Sequence, residues 1–169
     1  RDRLLSRGHG DVYKRQTGDL EKMMAYYNGE DGLEIIAPKS KDGFPVMQTM
    51  VAEIGSGNLS GKMYKGYIPG WGNLTGPEAL EHMMQKASEN GGDFDPSTGF
   101  DYTQLISKFA MGAVFYNQAV NNYLGSKMEI GQKPNNKPYK DGAYYTGKEH
   151  SWDEAFGYWG APAHSLTLT

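Results

Sequence analysis

Between Asp101 and Gly125 the chain runs for more than twenty residues without a proline, and apolar side chains recur there at helical spacing. Leu105, Phe109, Gly112, Tyr116, Ala119 and Tyr123 fall on one face at a period of 3.6, and Ile106, Ala110, Ala113, Val120 and Leu124 fall on another. Asp101, with Gln104 three residues on, supplies an N-cap signal, and Gly125 supplies a stop. The pattern predicts one long helix over about Tyr102 to Leu124. A helix apolar on most sides takes a central place among other helices, so the rest of the chain is expected to pack around this one.

Shorter helical signals flank it. Thr17 or Asp19 caps a first amphipathic helix in which Leu20, Met23, Met24 and Tyr27 recur before Asn28-Gly29 stops it. Pro45 opens a second, with Val46, Met47, Met50, Val51 and Ile54 on its buried side. The glycine-rich stretch from Gly55 to Gly76 reads as loop, with one helical turn near Leu59 to Tyr64 and with Tyr67, Ile68 and Trp71 pinning it to the body. Thr75-Gly76-Pro77-Glu78 has the form of a capping box and opens a helix to about Ser88, ended by Asn90-Gly91-Gly92. Residues 125–145, with Lys133-Pro134-Asn135-Asn136-Lys137-Pro138, read as a mobile surface loop. No alternating strand pattern of useful length occurs, so the fold class is mostly α, a helical bundle with long Gly-rich loops.

Charge narrows the function classes. All four arginines lie in residues 1–16, and residues 17–169 hold twelve lysines and no arginine. Such a break points to two origins. The opening run, from Arg1-Asp2-Arg3-Leu4-Leu5 to Asp11-Val12-Tyr13-Lys14-Arg15-Gln16, resembles a translated sequencing-library adaptor, against the alternative of a natural basic arm. It is set aside, leaving residues 17–169 as a single helical domain and a truncated part of a larger protein. Without it, twelve lysines face eighteen acidic residues and the net charge moves from −3 to −6. A mildly acidic body lacks the basic footprint that nucleic acid requires. No apolar run is long enough to span a membrane. With no cysteine, thiolate metal sites and thiol catalysis are excluded.

The densest chemistry lies in Glu149-His150-Ser151-Trp152-Asp153-Glu154-Ala155-Phe156-Gly157-Tyr158-Trp159-Gly160. On a helix His150 lies beside Asp153 and Glu154, while Trp152, Phe156 and Trp159 form a second stripe suited to burial against neighbouring helices. An imidazole and a carboxylate one turn apart can aim lone pairs at one divalent cation, and bundle interiors are where such sites are built. Two or three ligands do not close a site, so another donor is expected from a different helix. Two capping boxes compete here. Ser151 with Glu154 would spend the carboxylate on a backbone N–H, whereas Thr146 with Glu149 starts the helix earlier and leaves His150 inside it.

Other motifs are bland. Glu78 and His82, with Glu81 adjacent, read as a solvated helix face, and His164 takes no role. Asp93-Phe94-Asp95-Pro96-Ser97-Thr98-Gly99 fails as a calcium loop because its glycine falls one place late and Gln104 stands where a Glu is needed. No Gly-x-Ser-x-Gly, His-Glu-x-x-His or phosphate-loop pattern is present.

The run from Tyr145 through His150 to Pro162, with Met111-Gly112-Ala113-Val114-Phe115-Tyr116-Asn117-Gln118 upstream, resembles a family of uncharacterised bacterial envelope proteins distantly similar to imelysin. That resemblance implies a helical bundle, export to the periplasm or the outer-membrane surface as a lipoprotein, and a Gly-x-His-x-x-Glu motif tied to metal and to iron-regulated uptake. His150 matches the motif histidine and Asp153 its carboxylate, while Lys148 replaces the glycine and Glu154 stands one place later. The expected function is therefore binding of a divalent or iron ion in metal acquisition by His150, Asp153 and Glu154, with envelope proteins as partners. The enzyme alternative is an imelysin-like metallopeptidase, and the non-enzymatic alternative is a cell-surface binding or structural protein in which the motif only packs helices.

Overall fold

A computed structural model of the chain describes residues 18–34, 49–53, 58–92 and 94–159. These residues are mostly helical and include no strand longer than an isolated bridge. In chain order they form α1 (Leu20–Asn28), α2 (Gly76–Glu89), α3 (Tyr102–Ala110), a π-helix (Met111–Tyr123) and α4 (Gly147–Trp159), with short 3₁₀ turns at Val51–Glu53, Ser60–Lys62 and Ser126–Met128. They fall into two compact units, one up to Val114 and one from Phe115 onward.

In the first unit α2 packs against both α1 and α3. Asp19 caps α1 by accepting from the Lys22 N–H at 2.9 Å, Thr17 lying outside the described residues, and Gly29 ends the helix in the left-handed region that glycine enters without strain. The Tyr27 hydroxyl donates to Glu81 of α2 at 2.8 Å, and burial pushes that phenol up to about 12. Met23, Leu80, Met83 and Met84 are buried, so methionine supplies much of the filling. Burying each such side chain contributes roughly 1.5–3 kcal/mol. Trp71 does pin its loop, stacking on Phe100 at 6.0 Å and meeting the edge of His82, whereas Tyr67 is exposed. The single turn expected near Leu59 forms at Ser60–Lys62. Of the helix expected after Pro45, only Val51–Glu53 lies among the described helical residues, and there it is a 3₁₀ turn.

The expected long helix exists as a continuous helical stretch, but its second half winds as a π-helix. The Leu124 N–H reaches back five residues to the Ala119 carbonyl at 2.9 Å. A wider turn moves the buried stripe to a spacing of five, so Ala113 and Val114 are followed inward by Gln118 and Ala119. Tyr116, placed on an apolar face by a period of 3.6, stands exposed.

In the second unit residues 129–146 fold back on themselves. Pro138 bridges Thr146, the Tyr139 N–H donates to the Tyr145 carbonyl at 2.8 Å, and their rings stack at 5.9 Å. Gly147 is buried against Pro134, and the Lys148 ammonium donates to the carbonyls of Met128 and Glu129. These contacts fix where α4 begins. Among the described residues no helix is long and apolar enough to cross a membrane.

Candidate functional site

The start of α4 decides what its side chains are free to do. Glu149 accepts from the Thr146 N–H at 2.7 Å, and the Glu149 N–H reaches the Thr146 hydroxyl at 3.3 Å, so the reciprocal box at Thr146 is the one that forms. His150 therefore lies inside the helix, its N–H donating to the Thr146 carbonyl at 3.0 Å. Ser151 is buried within the helix instead of capping it, and Glu154 is released from capping.

One turn apart, His150 Nε2 and Glu154 Oε1 stand 3.7 Å from each other. The imidazole lies against Tyr139, with ring centroids 4.3 Å apart, and against Tyr145 at 5.6 Å. Tyr123, at the end of the π-helix, stacks on Tyr158 of α4 at 5.4 Å and brings its hydroxyl to Glu154. Burial pushes the Tyr123 phenol up to about 12, reinforced by the negative charge of Glu154. Imidazole, carboxylate and phenol thus gather at one side of α4. Asp153 is exposed, and among the described residues no hydrogen bond or ion pair joins it to His150. Nor do three or more His, Asp or Glu side chains converge there. The polar side chain that the π-helix brings to this side of α4 is a tyrosine.

The second pair is otherwise engaged. Glu78 accepts from the Thr75 N–H and hydroxyl at 2.8 and 2.6 Å, His82 meets Trp71 and Tyr102 edge-on, and Glu81 takes the Tyr27 hydroxyl. Asp95 is satisfied locally by Ser97 and Thr98. His164 lies outside the described residues.

The aromatic stripe departs from expectation. Trp152, Phe156 and Trp159 are 62 %, 43 % and 72 % exposed, so α4 is not held by burial of these rings. Ala155, Tyr158 and Ser151 face inward instead. Sequence reasoning also missed Tyr123, because its approach to Glu154 depends on π winding that no residue pattern announces.

Comparison with known proteins finds one family model, described as "Domain of unknown function (DUF4856)", matching residues 83–168. No curated protein and no solved structure matches the chain. Nothing in these comparisons links the chain to imelysin, so the resemblance read from the sequence reduces to membership of an uncharacterised family. Since the matched stretch is more than half of the chain and takes in both the π-helix and the whole of α4, the protein belongs to the DUF4856 family.

Proposed function

We propose that the protein is a non-catalytic metal-binding protein that captures an iron ion through His150 and Glu154, with the Tyr123 phenol as third donor. The observation that carries this reading is the meeting of three chemically suited donors from two helical elements: Nε2 and Oε1 3.7 Å apart, and a half-buried phenol near enough to Glu154 to feel its charge. Imidazole suits iron among other transition metals, and oxygen donors favour its harder, more highly charged form. Asp153 belongs to the proposal only as a carboxylate at the margin of the site. Export and a place in the bacterial envelope belong to it as well, supported by the sequence resemblance alone. The peptidase alternative needs, besides an ion, an open coordination position and a base for its water, and Glu149 is occupied at the helix cap.

The test is titration of the full chain with ferric ion supplied as a weak chelate, followed by calorimetry and by the visible absorption of iron-bound phenolate. Tight binding with a coloured complex is expected. His150→Ala should weaken it at least tenfold, and Tyr123→Phe should abolish the colour. Equal binding by the native and His150→Ala proteins refutes the assignment.

A further inference from the structure

The other face of α4 carries a separate feature. Trp152 and Trp159 stand mostly in water, with Phe156 part-exposed between them, and together they wall an apolar cleft of about 250 Å³. Its opposite wall is Val120 and Leu124 at the end of the π-helix, and Ala155 lies at its base. Large apolar surface left open to water is costly, and its concentration in one cleft marks a binding surface. Indole rings are also the side chains that most often dominate interface energetics.

The chemistry around the cleft selects its occupant. On the helical wheel of α4, Glu149 and Asp153 lie one turn apart on the solvent side of Trp152 and Phe156, and both are exposed. Glu149 stays ionised because the Thr146 N–H and hydroxyl hold its carboxyl below the usual carboxylate range. The aromatic wall thus has an acidic edge. The basic side chains nearest in sequence are turned elsewhere: Lys148 donates to Met128 and Glu129, and Lys127 lies over the Tyr123 ring at 3.6 Å. A second copy whose acidic edge met this one would set like charges together, which is unfavourable.

We infer that this cleft docks an amphipathic helix of a partner protein, its apolar face seated between α4 and the end of the π-helix and lysine or arginine along one flank meeting Glu149 and Asp153. The mode is the helix-in-groove arrangement, in which apolar anchors at helical spacing supply affinity and flanking charge sets orientation. It does not rest on the metal assignment, since the cleft is lined by none of His150, Glu154 and Tyr123.

The experiment compares two synthetic helical peptides with the same leucine-rich face, one bearing lysines along a flank and the other glutamates, titrated into the full chain and followed by tryptophan emission and calorimetry. The lysine peptide is expected to bind at least tenfold more tightly, with an advantage that shrinks as salt rises. Trp152→Ala should weaken its binding tenfold or more with an unchanged circular dichroism spectrum, and Asp153→Asn, a surface change that leaves folding intact, should remove most of the preference between peptides. Equal binding of both peptides, or binding of neither, overturns the inference. So does concentration-dependent dimerisation in sedimentation that Trp152→Ala abolishes, which assigns the cleft to a second copy.

Discussion

Gly76 opens α2 so close to the Tyr64 carbonyl that a Cβ would collide with backbone, which has no flexible end to give way. Gly76→Ala should therefore cost roughly 1–3 kcal/mol, seen as a lower urea midpoint, even though alanine is the better helix former elsewhere. Tyr123 is the residue on which the metal assignment turns. Its phenol, raised to about 12 chiefly by burial and then by Glu154, keeps its proton at neutral pH in the free protein. A bound ion must displace that proton, so ferric affinity should strengthen as pH rises across the neutral range. That pH dependence should flatten in Tyr123→Phe, measured by the same titration at a series of pH values. A purely structural role for Tyr123 would change stability and leave the pH slope alone.

Two helices owe their starting points to reciprocal Thr and Glu pairs, Thr75 with Glu78 and Thr146 with Glu149. Thr146→Ala should lower stability by about 1 kcal/mol and fray the turn that carries His150, detectable as faster amide exchange at the start of α4. Both glutamates are held below their ordinary value by the hydrogen bonds they accept, Glu78 first from the Thr75 hydroxyl and Glu149 first from the Thr146 N–H. The sign follows. A carboxyl whose folded pKa is depressed contributes stability above its unfolded pKa, and that contribution is lost as pH falls through the folded one. The thermal midpoint should hold from neutral pH down to about pH 5 and then decline below about pH 4.5, less steeply in Glu78→Gln and Glu149→Gln, whose own midpoints start lower. The π-helix follows a different logic: its i to i−5 bonding carries Tyr123 to the side of α4 where Glu154 lies. Such turns are uncommon and recur at functional sites.

At the scale of the chain, residues 17–169 carry a net −6. The protein should therefore leave duplex DNA unshifted in an electrophoretic assay at about 0.15 M salt. A salt-sensitive shift would contradict this. The mostly helical class, the caps at Asp19, Asp101, Thr75 and Thr146, and the stop at Gly29 were all legible in the residues, because each rests on interactions within three or four positions of itself. The approach of His150 to Glu154 was legible for the same reason, since one helical turn sets it. Three things were not. A period of 3.6 could not reveal that the chain changes winding after Ala110, nor that Tyr123 would supply a phenol beside Glu154. Hydropathy alone assigned Trp152, Phe156 and Trp159 to the interior, yet Ala155 and Tyr158 face inward on α4 while those three rings wall an open cleft. Local hydrogen bonding is written along the chain, but which face of a helix is covered depends on what the fold brings against it, and that only the tertiary structure decided.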